Sequence, residues 1–208
     1  VSRRAERTWL RSNRWWLAGL PLAVVAMVAA SSYQVRTFWW STGLHHTVAS
    51  AEPGRAVTAT LDYADSVGPT SRTLSASAVG IETVDEVPST LVDAPPVPDG
   101  SRAVAVTLDL SADPDQSLVG CQLLLVDDEG RRYGVPEDSG QDSPCVPAGQ
   151  EGPSRPISAT DRRGEVLDGH DRPGSWTVAP VFLVPDDATI TTVLLWWEYP
   201  DHLELALP

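Results

Sequence analysis

Between Arg14 and Arg36 the chain carries no charged side chain. The run opens WWLAGLPLAVVAMVAASSY, and these 19 residues, 15–33, would make roughly 28 Å of helix at about 1.5 Å per residue. That length is close to the hydrocarbon thickness of a bilayer. Trp15 and Trp16 stand at one end and Phe38, Trp39 and Trp40 just beyond the other, where amphipathic rings suit the two interfaces. We therefore expect a transmembrane helix over 15–35, with the lipid bilayer as its partner. Residues 1–14 then form a basic cytoplasmic N-terminus, 36–54 a juxtamembrane linker, and 55–208 an extracytoplasmic domain. The rival expectation is a signal peptide cut after Ala30, since Val28 and Ala30 place small residues at the −3 and −1 positions. The tryptophans on both sides of the run favour a retained anchor.

Charge supports that orientation. Residues 1–36 hold six Arg against Glu6, whereas residues 37–208 hold nine Arg against 27 Asp and Glu, a net of −18. Arginine close to a span resists translocation, so the basic side is expected in the cytoplasm and the acidic side outside, at the cell membrane. An acidic domain repels phosphate backbones, which argues against nucleic acid as a partner. Every basic residue among the Lys and Arg is Arg, a bias that fits a GC-rich bacterial genome. The two cysteines, Cys121 and Cys145, both lie in the acidic part. An even count in an oxidising compartment predicts one disulfide.

Past residue 55 the hydrophobic period is two. Val57, Ala59 and Leu61 alternate with Thr58, Thr60 and Asp62. Leu74, Ala76 and Ala78 alternate with Ser75 and Ser77. Val104, Val106, Leu108 and Leu110 alternate with Ala105, Thr107 and Asp109. Each run predicts a half-buried strand. A proline-rich surface connection, 87–100, separates the second from the third. Further strands are expected at 119–126 and 131–134, joined by a turn at 127–130. Others follow at 175–184, broken at Pro180, at 189–197, and at 203–207. Asp127, Asp128 and Glu129 lack the ligand spacing of a calcium loop, so that stretch reads as a turn, with Gly130 supplying a positive φ. Many short strands with Gly and Pro punctuation mean an all-β sandwich.

Residues 136–174 read differently, rich in Pro, Gly, Asp and Ser and far longer than an ordinary connection. A Cys121–Cys145 bond would staple the first part of this loop to a strand, stabilising by roughly 3 kcal/mol on the loop-entropy account. His170 and Asp171 lie in its second part. His45 and His46 lie in the expected linker and lack the spacing of a metal site, so no metal and no cofactor are expected. No nucleophile elbow, phosphate loop or dinucleotide fingerprint occurs. Trp196 and Trp197 would point to opposite faces of a strand, one into the core and the other outward. We take Trp196, Trp197 and His170 as the candidate binding surface.

The order of these features resembles the immunoglobulin-like, "telokin-like" accessory domains of Gram-positive surface proteins. The matching residues are Val104, Val106 and Leu108, then the hairpin from Leu125 through Asp127 and Gly130 to Tyr133. After the polar loop come Phe182, Leu183, Val184 and Pro185, and last Val193, Leu194 and Leu195. The resemblance covers about half of the chain, and the whole resembles actinobacterial single-pass membrane proteins that carry such a domain. It departs from the many lipoproteins among them in having no lipobox cysteine, and the cysteine-bearing loop is extra. The resemblance implies an immunoglobulin-like antiparallel β-sandwich following one N-terminal transmembrane helix, at the cell surface, and transfers no catalytic residue. The expected function is non-enzymatic: a membrane-anchored module binding or supporting another envelope protein or cell-wall component. A different expectation is an envelope hydrolase with its site in the 136–174 loop. A third is a secreted soluble domain.

Overall fold

The computed structural model describes residues 13–35, 43–64, 68–89, 96–140, 143–152 and 172–208; within the first helix the side chains at 14, 17–18 and 33–35 are not among those described. The chain divides into two units, residues 1–43 and residues 44–208. The first contains α1, Arg14–Val35. Leu20, Leu22, Val24, Val25, Met27 and Val28 on it are all exposed. At about 100° per residue these apolar side chains, with Ala23 and Ala26 between them, occupy every side of the helix, so it has no polar face. Among the described residues, no helix is long and apolar enough to cross a membrane. The expected span over 15–35 is thus present as a helix but not shown as a membrane crossing.

The second unit is a two-sheet β-sandwich. Its strands are β1 His46–Ala51, β2 Val57–Ala64, β3 Pro69–Val84, β4 Ser101–Ala112, β5 Gln122–Asp127, β6 Arg132–Gly134, β7 Ser175–Val178, β8 Val181–Pro185, β9 Ile190–Trp196 and β10 Asp201–Ala206. One sheet runs β1-β10-β9-β5-β6, and the other runs β2-β3-β4-β7 with β8 also on β4. The expected strands are present near their expected positions, because period-two alternation leaves one apolar face that only a second sheet can cover.

Two expectations need correction. Residues 46–51, expected in the linker, form β1, which pairs in parallel with β10 from His46↔Asp201 to Ala51↔Leu205. The sandwich is therefore mixed and not wholly antiparallel. The segment HTVASA has Val48 and Ala49 side by side and no period-two alternation, so its strand state comes from the open edge of β10 and not from its own pattern. The alternation in β3 also breaks at a bulge between Ala78 and Gly80, which leaves Val79 exposed on the outer face.

Pro180 behaves as expected of a residue without a backbone donor. The strand stops there, and β7 and β8 pair with opposite ends of β4, at 108–111 and 101–105. The Pro180 carbonyl still accepts the Val106 N–H at 3.0 Å. Inside the sandwich, cross-strand rows align Leu123 with Leu195 and Leu203, and Leu125 with Val193 and Leu205. All six are buried in the core that Leu74, Val106, Leu108 and Phe182 complete from the other sheet. Burying each such side chain is worth about 1.5–3 kcal/mol.

The expected disulfide is present: Cys121 and Cys145 are bonded, with Cα atoms 6.1 Å apart. Both are fully buried, and Trp176 Nε1 donates to the Cys145 carbonyl at 2.8 Å. Beside them lies Arg172, only 2% exposed. Its guanidinium donates to the carbonyls of Glu151 at 2.9 Å, Asp113 at 2.6 Å and Gln116 at 2.8 Å. The cation also lies 4.9 Å from the centre of the Trp176 ring. Burial lowers the pKa of this group, and Asp113 partly offsets that. These carbonyl and ring partners tie both described ends of the long loop to the β4–β5 connection.

Candidate functional site

The outer face of the first sheet carries a cleft of about 290 Å³, lined by Leu44, His45, Thr47, Val126, Arg132, Thr192, Leu194, His202 and Glu204. Strand alternation builds it. On β10, His202 and Glu204 are two apart and share the outward face, while Leu203 and Leu205 point into the core. On β9, Thr192 and Leu194 do the same. Across the sheet Glu204 pairs with Leu194, Leu194 with Leu124, and Leu124 with Gly134. One row further, Thr192 pairs with Val126, and Val126 with Arg132. Leu44 and Leu194 pack with Trp196 into a small apolar cluster on this face, with Leu124 and Val126 against it. The cleft therefore has an apolar floor and polar groups at its two sides.

The β10 side centres on His202, which is 2% exposed. Its Nε2 lies 3.2 Å from Thr47 Oγ1 and 3.2 Å from Glu204 Oε1. The Thr47 hydroxyl donates to the same Glu204 oxygen at 2.9 Å. A carboxylate only accepts, so Nε2 carries the proton shared between Glu204 and Thr47. The other ring nitrogen, Nδ1, is buried with no partner among the described residues. This is not a catalytic triad: hydroxyl and carboxylate converge on one nitrogen, whereas a relay needs them on opposite sides of the ring. At the β6 side Arg132 makes no hydrogen bond or ion pair among the described residues. At the start of the β1–β10 pairing His46 Nδ1 lies 2.7 Å from Asp201 Oδ1.

The sequence-predicted site residues fall elsewhere. Trp196 is buried in the apolar cluster beside the cleft, with its ring centre 6.2 Å from that of Tyr199. Trp197 is half-buried; its Nε1 donates to the Leu118 carbonyl at 3.2 Å, and Arg72 lies 5.1 Å from its ring centre. Neither presents the exposed ring expected of a binding anchor. Outward does not mean exposed here, because Leu44 arrives from the chain before β1 and covers Trp196. His170 lies outside the described residues. Cys121 and Cys145 are brought together as expected. Thr47, Arg132, His202 and Glu204 were not singled out by sequence reasoning. The signal was present in the alternation of β10, but two polar residues on an outward face read as ordinary solvated positions.

The 127–130 turn is a second polar centre. Asp127 Oδ1 accepts the backbone N–H groups of Glu129 and Arg131. Its Oδ2 accepts from Arg131 Nε at 2.6 Å and from the Tyr133 hydroxyl at 2.7 Å. Burial would raise the pKa of this carboxyl, but the Tyr133 and Arg131 hydrogen bonds outweigh it and bring it down to about 2. All its acceptor capacity is spent within the turn, which is the structural reading made from sequence. Among the described residues no group of three or more His, Cys, Asp or Glu is placed to hold a metal.

No family model matches the chain. No curated protein matches it. Among solved structures, an uncharacterized β-sandwich protein from Clostridium difficile 630 is similar at 11% identity, covering 79% of this chain and 97% of that chain, with a TM-score of 0.37. At that TM-score the likeness carries no argument.

Proposed function

We propose that this chain is a membrane-anchored module whose extracytoplasmic sandwich binds another envelope component through the cleft on its first sheet. The observation that carries the reading is the cleft itself. It joins an apolar floor to two polar groups, the Arg132 side chain and His202 Nδ1, that have no partner among the described residues, which is the make-up of a binding site. The sheet order supports the immunoglobulin-like part of the reading, since β4 pairs with β3 and β7 in one sheet while β5, β9 and β10 are neighbours in the other. Anchoring rests on the sequence: the uncharged stretch 15–35, its flanking tryptophans, and a helix with no polar face that water would solvate poorly. The disulfide and the acid-rich sandwich suit an oxidising exterior.

The test is site-specific photo-cross-linking in intact cells. A probe at His45, on the cleft rim, should give a discrete adduct with an envelope component. A probe at the exposed Val79, on the second sheet, should not. Identical adducts from both positions, or none from His45, would overturn the reading.

A further inference from the structure

The two sides of the cleft ask for opposite chemistry. His202 turns Nε2 to Glu204 and Thr47, and its Nδ1 is buried without a partner among the described residues. Glu204 engages Thr47 and His202 through Oε1, leaving Oε2 without a contact among the described residues. The β10 side therefore carries negative charge, with Glu204 Oε2 as its available acceptor. The β6 side carries Arg132, a planar fork of donors suited to a carboxylate.

Glu204 and Arg132 stand on strands separated by three strand spacings, about 14 Å. Both line the cleft together with Leu194 and Val126, and a gap of that order is on the scale of a short extended peptide. We propose that the cleft binds a short peptide with free ends. Its ammonium meets Glu204 Oε2, its carboxylate meets Arg132, and its side chains lie on the apolar floor. This deepens the binding-module reading and rests on it. A polyanion is disfavoured by the net charge of −18 on residues 37–208. A neutral sugar would leave the charge pair unused.

The test is calorimetric titration of the full chain in detergent with tri-alanine, N-acetyl-tri-alanine, tri-alanine amide and chitotriose. Tri-alanine should bind at least tenfold more tightly than either capped form. Arg132→Ala should reduce tri-alanine to the level of the amide and leave the amide unchanged. Glu204→Gln should erase the preference over the N-acetyl form. Arg132 is exposed without a described partner and Glu204→Gln keeps an acceptor oxygen for Thr47 and His202, so neither variant should unfold the protein, checked by melting temperature. Capped and free peptides binding alike, or Arg132→Ala without effect, overturns the proposal. Binding of chitotriose alone, or an envelope cross-link at His45 with no peptide response, overturns the ligand class and leaves the module reading standing.

Discussion

Gly152 illustrates how much of this fold hangs on single backbone positions. It has φ of +80°, and a Cβ there would lie 2.7 Å from the Gln116 carbonyl and 3.1 Å from the Arg172 guanidinium. Neither neighbour can retreat, because that carbonyl and that guanidinium are bonded to each other. Gly152→Ala should therefore destabilise by about 1–3 kcal/mol, the range for strained backbone sites, read as a fall in the denaturant midpoint. Asp127 makes a pH prediction. Its folded pKa of about 2 lies below the unfolded value near 3.9. The stabilisation it contributes is complete above the unfolded value and is lost as pH falls from about 4 towards 2. Asp127→Asn should flatten that part of the stability profile; an unchanged acid limb in the variant would disprove the assignment.

At the scale of elements, the disulfide and the Arg172 cluster hold the start and the end of the long loop against the core. Cys121→Ser together with Cys145→Ser should cost about 2–4 kcal/mol, and the native protein should show no titratable thiol. Leu125, at the centre of a buried cross-strand row, is the place to test the sandwich core. Leu125→Ala should cost about 2–5 kcal/mol by unfolding measurements. The strands themselves were legible in the sequence, since Val, Leu and Ala alternate with polar residues at 57–61, 74–78 and 104–110. β1 was not, because HTVASA has no such pattern and owes its state to the edge of β10. The bulge at Val79 escaped for the same reason: register slips are decided by the partner strand.

For the whole molecule the decisive prediction is topology. A reporter active only outside the cytoplasm, fused after Pro208, should give signal in the membrane fraction. A soluble product beginning at Ser31 would show cleavage and overturn the anchor. The net charge of −18 on residues 37–208 also predicts solubility of that part and little affinity for anionic lipid, checked by vesicle sedimentation. What the sequence alone determined is whatever is local or compositional: one helix, a β-sandwich, a paired cysteine count and the split of charge. Those follow from periodicity and from solvent, which each stretch meets without reference to the others. The candidate site was decided only by tertiary structure. Thr47, Arg132 and His202 are remote in sequence, and only strand pairing lays β1, β10, β9, β5 and β6 side by side. The same packing covered Trp196 with Leu44 and bonded Trp197 to Leu118, so the residues most conspicuous in the sequence became part of the scaffold. Burial is a property of what arrives from elsewhere in the chain, and no single stretch carries that information.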